Sequence, residues 1–248
     1  MNLTIITATY NSAVTIRDTL NSVSQQDIGE IEHIIIDGGS SDNTLDIVRE
    51  FPHVTKIISE KDDGLYDAMN KGIKLASGDV IGILNSDDLY RHSSVLSKVM
   101  KLFTETNADC VYGDLQYVDA VNINKVMRTW KSGSFNRSKF YYGWMPPHPT
   151  FFVRKEVYEK AGLFNIALRS ASDYELMLRI LFVHEFEAAY LPEILVKMRM
   201  GGLSTSSLGQ RLLANREDRI AWRINNLNPY FFTLMLKPLR KVFQFFRK

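Results

Sequence analysis

The stretch Val80-Ile-Gly-Ile-Leu-Asn-Ser-Asp-Asp-Leu-Tyr90 decides the fold expected for this chain of 248 residues. Its first residues are mostly apolar and follow Gly78-Asp79, which predicts a short buried strand. The strand ends on two adjacent carboxylates, Asp87 and Asp88. Ligands of open α/β sheets bind at the carboxyl ends of strands, and two hard oxygen donors there suit Mg²⁺ or Mn²⁺. An ordinary helix N-cap is the alternative interpretation of the same two aspartates.

Strand-like and helix-like segments alternate before this stretch. Such alternation predicts parallel strands joined by right-handed crossovers, which is an α/β nucleotide-binding unit. The carboxyl ends of the strands then meet at one edge of the sheet, where a nucleotide is expected to bind. The predicted strands cover 3–7, 32–36, 54–58 and the stretch from 80, and the predicted helices begin near Asn11 or Ser12, at Asp42 and at Tyr66.

Composition limits the possible functions and locations. The apolar fraction is 45% and the formal charge is +2, which is ordinary for a globular protein and argues against a protein that coats nucleic acid. The single cysteine, Cys110, excludes an internal disulfide framework and fits a reducing compartment. No signal peptide precedes the first strand, and no run of 18 apolar residues occurs, so we expect a cytoplasmic protein.

Two common phosphate-binding fingerprints are missing from the sequence. Neither G-x-G-x-x-G nor G-x-x-x-x-G-K-[ST] occurs, which argues against the commonest dehydrogenase and P-loop classes. Phosphate recognition is therefore expected to come from a metal ion and side chains. Four motifs remain to be explained, namely Thr7-Ala-Thr-Tyr-Asn11, Ile36-Asp-Gly-Gly-Ser-Ser-Asp-Asn-Thr44, Gly64-Leu-Tyr-Asp-Ala-Met-Asn-Lys-Gly72 and Leu84-Asn-Ser-Asp-Asp88.

The order and spacing of these motifs resemble the family 2 glycosyltransferases, and in particular their bacterial O-antigen and polysaccharide branch. The resemblance runs from about residue 2 to residue 205. It implies the GT-A fold, which is an α/β domain with a mixed central sheet. Residues 1–107 would form a Rossmann-like nucleotide-binding half and residues 108–205 the acceptor-binding half, followed by a C-terminal amphipathic helical extension over 206–248.

The resemblance also implies roles for residues of the nucleotide-binding half. Asp37 would hydrogen-bond the nucleotide base, and Thr9 would line the same pocket. Asp87 would coordinate the metal, and Asp88 would lie beside the ribose, the metal or the donor sugar. Asn85 stands where many relatives have an aspartate, so it can hydrogen-bond a ribose hydroxyl but brings no charge to the metal.

Three further residues are candidates by resemblance, each with a simpler alternative. Lys71 could contact a phosphate, or it could be a solvated helix lysine. His148, which lies between prolines, would border the donor and acceptor pocket, or it could have a structural hydrogen-bonding role. Asp173 would be the general base that takes a proton from the acceptor hydroxyl, with Ser172 replacing the usual glutamate. The alternative for Asp173 is an acidic residue favoured by the dipole in the first turn of a helix.

The last segments differ from the rest in composition. Gly201-Gly-Leu-Ser-Thr205 is predicted to be a mobile loop that folds over the diphosphate, or else a plain turn. Pro229–Lys248 contains six aromatic and five basic residues and no acidic ones. Basic and aromatic amphipathic sequence is typical of segments that lie on an anionic membrane, so we expect contact with the inner membrane surface. Docking of this helix on the domain or on a partner subunit is the alternative.

The sequence therefore predicts an inverting, metal-dependent glycosyltransferase. It would transfer a sugar from a nucleotide-diphosphate donor, UDP-linked by default, to a lipid-linked saccharide acceptor in cell-surface polysaccharide synthesis. A nucleotidyltransferase is one alternative, although residues 7–12 lack the basic glycine-rich loop that it usually needs. A non-catalytic module that binds a sugar nucleotide or a membrane surface is the other, favoured by Asn85 and Ser172 in place of acidic residues.

Overall fold

A computed structural model describes residues 1–201 and 208–243, with side chains described up to 201 and from 214 to 240. The strands form one mixed sheet of nine members in the order β3-β2-β1-β4-β8-β6-β9-β5, with β7 paired to β6. Their bounds are β1 Leu3–Thr9, β2 Ile31–Asp37, β3 Val54–Ser59, β4 Val80–Ile83, β5 Asp88–Tyr90, β6 Cys110–Val118, β7 Val126–Trp130, β8 Phe152–Arg154 and β9 Ala188–Arg199.

Eight α-helices lie among the described residues. They are α1 Ile16–Ser24, α2 Thr44–Arg49, α3 Leu65–Leu75, α4 Val95–Thr106, α5 Lys155–Ala161, α6 Ser172–Leu178, α7 Leu208–Ile224 and α8 Thr233–Phe243. Short 3₁₀ turns cover Arg137–Tyr142 and His148–Thr150, and a π-helical turn over Arg179–Val183 continues α6.

The first four strands of the sheet, β3, β2, β1 and β4, are parallel. All seven residues of β1 are buried, which is typical of a parallel strand covered by helices on both faces. The sheet becomes mixed at β8, which is antiparallel to both β4 and β6. This architecture confirms the predicted α/β fold with a mixed central sheet.

Apolar side chains from the two faces of the sheet form separate cores. One core contains Ile6 and Ile36 together with residues of α3, α5 and α6, and the other contains Ile5 and Phe103 together with residues of α4. Trp222 of α7 is buried in the first of these cores. The helical segment after residue 206 thus contributes to the main core of the protein.

Several local expectations differ from the structure. Asp88 begins the short strand β5, which pairs with β9, so the helix N-cap interpretation of the two aspartates is wrong. The helix after the first strand begins at Ile16, later than expected, because the residues before it form a turn in which Asn11 is left-handed, with φ 48°.

The sequence does not predict helices α4 and α5. Pro238 lies inside α8, as the sequence indicates. Residues 202–205 of the predicted mobile loop, and 244–248 of the tail, lie outside the described residues.

Candidate active site

The predicted convergence of strand ends occurs in the structure. Thr9 at the end of β1 is paired in register with Asp37 at the end of β2. The loop after β1 reaches the loop after β4, because the hydroxyl groups of Ser12 and Ser86 lie 2.8 Å apart. Residues 85–88 therefore lie at the same edge of the sheet as the predicted base-binding residues.

Asp37 is fully buried and held by a set of donors. Its Oδ2 accepts hydrogen bonds from the backbone N–H groups of Gly39 and Ser40, at 3.2 and 3.0 Å, and from the Ser59 hydroxyl at 2.7 Å. Its Oδ1 accepts the Ser40 hydroxyl at 2.5 Å. The buried Oγ1 of the neighbouring Thr9 has no hydrogen-bond partner among the described residues. Asp37 is thus a rigidly held carboxylate, and Thr9 beside it has an unused hydroxyl.

Asp88 is a buried carboxylate at this edge of the sheet, and its pKa is raised. The side chain is fully buried, and neither carboxylate oxygen has a hydrogen-bond partner within residues 1–201 and 208–243. Burial raises the pKa of Asp88 well above its usual range, and the charge of Asp87 raises it further. Burial also raises the pKa of Asp87, against the opposing charge of Arg199. The Oδ1 of Asn85 is likewise buried and without a partner among the residues described.

This arrangement fits a divalent cation. A buried carboxylate without donors is costly unless an opposite charge compensates it. Mg²⁺ and Mn²⁺ are typically held by one or two carboxylates and by substrate phosphates, not by a full protein cage. The described part of the chain contains no cluster of three or more His, Cys, Asp or Glu residues arranged to hold a metal. Asp87 and Asp88 are the residues that would hold the ion.

Arg199 supports this edge from β9 and was not expected from the sequence. Its guanidinium is buried and donates to the backbone oxygen of Asp87 at 2.8 Å, to that of Ala120 at 3.2 Å, and to the carboxylate of Asp18. The three acceptors come from different parts of the chain. Arg199 therefore fixes the backbone at the start of β5, from which both carboxylates project.

Asp173 lies in the first turn of α6, half-buried between aromatic rings. The Tyr66 hydroxyl donates to its Oδ1 at 3.3 Å. Tyr66 stacks on Phe164, with ring centroids 5.4 Å apart, and Phe164 meets the ring of His148 edge-on at 5.7 Å. The buried Nε2 of His148 has no hydrogen-bond partner in the described parts of the protein. Burial lowers the pKa of His148, and the charge of Asp173 opposes that shift.

Tyr117 of β6 is a buried phenol whose pKa responds to both candidate carboxylates. Burial raises the pKa of its hydroxyl, and the charges of Asp88 and Asp173 both add to that rise. The Arg128 guanidinium lies over the Tyr117 ring, 3.8 Å from its centroid, and opposes the shift. The candidate metal ligand and the candidate base thus lie near the same phenol. No sequence motif indicates Tyr117.

Lys71 lies apart from these groups in a cluster of carboxylates. Its Nζ is 2.5 Å from Asp62, 2.8 Å from Glu60 and 3.5 Å from Asp67, and it donates to the Lys61 carbonyl at 3.2 Å. The hydrogen bonds with Asp62 and Glu60 raise the pKa of Lys71. A phosphate contact would require the ammonium to exchange one of these partners. The role of Lys71 stays a prediction.

The fold and the strand-end carboxylates define a glycosyltransferase of the GT-A type. The chain belongs to the family Glycosyl transferase family 2, whose sequence model matches residues 4–162. That match includes Thr9, Asp37, Asp87, Asp88 and His148, and it ends before Asp173. The predicted enzyme class is thereby confirmed.

Curated relatives from mycobacteria are also glycosyltransferases. A PGL/p-HBAD biosynthesis glycosyltransferase of Mycobacterium bovis (strain BCG / Pasteur 1173P2) is 29% identical over 219 residues, which cover 84% of this chain and 81% of that protein. An uncharacterised glycosyltransferase of Mycobacterium tuberculosis (strain ATCC 25618 / H37Rv) is 30% identical over 186 residues, covering 74% of this chain and 70% of the relative.

Solved structures share the fold at low sequence identity. S. aureus TarS 1-349 in complex with UDP-GlcNAc superposes with a TM-score of 0.72 at 20% identity, over 91% of this chain and 65% of that one. Of the longer S. aureus TarS structure, the chain covers 41%. The mannosyltransferase PcManGT from Pyrobaculum calidifontis, in complex with GDP-Man and Mn²⁺, has a TM-score of 0.67 at 19% identity, over 95% of this chain and 68% of that one.

Among the residues that the structure describes, no helix combines the length and the apolar character needed to cross a bilayer.

Proposed function

We propose that this glycosyltransferase is inverting and metal-dependent, and that it transfers a sugar from a nucleotide-diphosphate sugar to a hydroxyl of a lipid-linked saccharide acceptor. The observation that carries the proposal is the buried carboxylate of Asp88, which lies with Asp87 at the sheet edge formed by Thr9 and Asp37. Asp173, which accepts a hydrogen bond from Tyr66, supplies a candidate base. A metal-binding carboxylate and a general base suit the transfer of a group from a diphosphate to an acceptor.

The donor would bind across the strand ends. Asp37, already held by four donors, would accept a further hydrogen bond from the nucleotide base, and Thr9 would donate or accept beside it. Asn85 would hydrogen-bond the ribose. UDP is the first base to test, because the TarS fragment binds UDP-GlcNAc, and GDP is the second, because PcManGT binds GDP-Man.

Asp87 and Asp88 would hold Mn²⁺ or Mg²⁺. A bound divalent ion supplies positive charge next to the departing diphosphate. The chain's own contribution is two adjacent carboxylates, of which Asp88 is fully buried and has no hydrogen-bond partner of ordinary geometry among the described residues. Arg199 holds the backbone of that site through the Asp87 carbonyl.

Asp173 would accept the proton of the acceptor hydroxyl. The acceptor oxygen attacks the anomeric carbon from the side opposite the diphosphate, the bond from that carbon to the diphosphate breaks, and the proton moves to Asp173. A single displacement inverts the carbon. The Tyr66 hydroxyl donates to Asp173 at 3.3 Å, and both Tyr66 and His148 pack against the ring of Phe164.

The acceptor is proposed to be a lipid-linked saccharide used in bacterial cell-surface polysaccharide synthesis, on the cytoplasmic face of the inner membrane. The curated mycobacterial relative is named for PGL/p-HBAD biosynthesis, and the O-antigen branch remains a prediction from the resemblance. Helix α8 and the turn before it support a membrane location, because Met235 and Leu239 on the helix and Phe231 in the turn are exposed at intervals of four residues. Its other side is attached to the domain through Lys237 and Asp218.

The proposal is tested with a panel of nucleotide sugars, incubated with and without Mn²⁺. We expect slow release of a nucleoside diphosphate that requires the metal and is lost in Asp87→Ala. Asp173→Asn should bind the same donor but fail to transfer its sugar. Release of pyrophosphate instead would indicate a nucleotidyltransferase, and donor binding without turnover would indicate a binding module.

A further inference from the structure

The carboxylate of Glu217 on α7 binds the chain just before α6. Its Oε1 accepts the backbone N–H of Arg169 at 3.1 Å, and its Oε2 accepts those of Ser170 and Ala171 at 2.7 and 3.1 Å. Glu217 is only 6% exposed, so these bonds form out of contact with most of the solvent. Three consecutive amides that point at one carboxylate fix the direction in which the backbone enters α6, two residues before Asp173.

Helix α7 also holds the residues that follow Asp173. The indole N–H of Trp222 donates to the Tyr174 hydroxyl at 2.9 Å, and the side-chain amide of Asn225 donates to Glu175 Oε1 at 3.0 Å. Contacts from α7, and from Asn225 directly after it, thus hold the residues before and after Asp173. The aspartate itself accepts a hydrogen bond from Tyr66, on α3.

The position of α7 is fixed in turn by α8. Asp218, next to Glu217, forms a buried ion pair with Lys237 at 2.6 Å. The Lys237 ammonium also lies over the Tyr174 ring, 3.5 Å from its centroid. The C-terminal helices therefore set the first turn of α6 through charged contacts, which are stronger and more directional than apolar packing alone.

We propose that Glu217 is a positioning residue for Asp173, and that α7 is part of the catalytic unit. The inference rests on the proposed role of Asp173 as general base. A misplacement of a reacting group by about 1 Å can lower a rate on the order of 100-fold, so a carboxylate that determines where α6 begins can control catalysis without touching substrate. The family match, which ends at residue 162, does not include this segment.

The experiment measures hydrolysis of UDP-GlcNAc with Mn²⁺, in which water occupies the acceptor position and gives its proton to Asp173. Glu217→Gln keeps the size of the side chain but loses its charge and one of its acceptor oxygens. We expect kcat to fall by about tenfold or more, while the KM for donor stays within about twofold of wild type, because the donor pocket lies on other elements. Glu217→Asp, which keeps the charge, should recover part of the lost kcat.

A matched control uses Glu159→Gln, the same substitution at an exposed position of α5, which should leave kcat and KM unchanged. The decisive comparison repeats Glu217→Gln in an Asp173→Asn background. A residue that acts through Asp173 has no further effect once the base is gone, so the double variant should match Asp173→Asn alone.

Two results would overturn the inference. One is a wild-type kcat in Glu217→Gln, and the other is an equal loss of kcat with and without Asp173, which would mean general structural damage. If wild type does not cleave UDP-GlcNAc, the nucleotide sugar that it does cleave in the panel takes its place. Failure of the proposed function looks different: wild type would then release no nucleoside diphosphate from any member of the panel, and the inference would fall with it. If Glu217→Gln does not fold, Glu217→Asp and its double variant with Asp173→Asn provide the same comparison.

Discussion

The hydroxyl of Tyr66 donates a hydrogen bond to Oδ1 of Asp173 at 3.3 Å, although 107 residues separate the two along the chain. Tyr66 belongs to α3, in the proposed nucleotide-binding half of the chain, and Asp173 belongs to α6, in the proposed acceptor-binding half. The contact joins the two functional halves of the proposed active site. Burial and the charge of Asp173 both raise the pKa of Tyr66, so the phenol remains a donor over the physiological pH range.

Tyr66→Phe tests this contact. Removal of the hydroxyl leaves the ring stacked on Phe164 and deletes one hydrogen bond to a charged acceptor, which is worth about 1.5 kcal/mol or more. We therefore expect kcat for sugar transfer to fall about tenfold, with the affinity for donor unchanged. Steady-state kinetics and donor titration provide the two values. Tyr142→Phe, at an exposed ring, is the control, and an unchanged kcat in Tyr66→Phe would separate Tyr66 from catalysis.

Asp88 predicts a link between metal binding and stability. A cation beside its unpartnered oxygens should stabilise the folded chain, by about 2.7 kcal/mol at 100 times the dissociation constant. Thermal unfolding should therefore shift upward with Mn²⁺ in wild type and hardly at all in Asp88→Asn. Without metal, Asp88→Asn should be about as stable as wild type, because burial raises the pKa of Asp88 well above its usual range and so favours the neutral form that the amide replaces.

The same titration with Asp63→Asn, an exposed carboxylate in the loop after β3, provides the matched control. Its unfolding temperature should respond to Mn²⁺ as wild type does. An equal response in Asp88→Asn would place the metal elsewhere.

The sequence could predict the edge of the sheet but not the groups that complete it. Asp37, Asp87 and Asp88 each follow a buried apolar run, so a local pattern marks them as strand-end residues. Arg199 and Glu217 carry no such pattern, since the partners of Arg199 lie 79, 112 and 181 residues away and those of Glu217 lie 46 to 48 residues away. Strand β5 could not be predicted for the same reason, because it pairs with the distant strand β9, with Asp88 opposite Met198.

His33 predicts loss of stability in acid. The ring is fully buried, its Nε2 lies 3.0 Å from the Thr7 hydroxyl, and burial followed by the charge of His53 lowers its pKa to about 3. In the unfolded chain a histidine takes up its proton near pH 6.5. Below that pH the unfolded state binds a proton at His33 that the folded state does not bind. The free energy of unfolding therefore falls as pH decreases from about 6.5 toward about 3.

At pH 5 this effect should remove ~2 kcal/mol of the free energy of unfolding relative to pH 7.5. Urea unfolding at the two pH values measures it. His33→Gln should be less stable than wild type at pH 7.5 but should lose less on acidification, whereas His184→Gln, at an exposed position, should keep the wild-type difference. An equal loss in wild type and His33→Gln would assign the acid sensitivity to other groups.

The exposed face of α8 and the turn before it predict binding to an anionic membrane. Phe231 is 90% exposed, and Met235 and Leu239 follow at intervals of four residues with 64% and 51% exposure. The segment from 229 to 248 contains basic residues and no acidic ones, which favours anionic lipid. The triple variant Phe231→Ser, Met235→Ser, Leu239→Ser should therefore lose at least tenfold in affinity for phosphatidylglycerol vesicles, because each apolar side chain contributes about 1.5–3 kcal/mol when fully buried. Co-sedimentation measures the binding, and added salt should weaken it in wild type.

The control is Val14→Ser with Val121→Ser, which removes two apolar side chains that are 95% and 92% exposed elsewhere and should bind as wild type does. If the triple variant still binds vesicles, or if it converts a dimer into a monomer in solution, the face of α8 serves another contact and the membrane proposal is wrong.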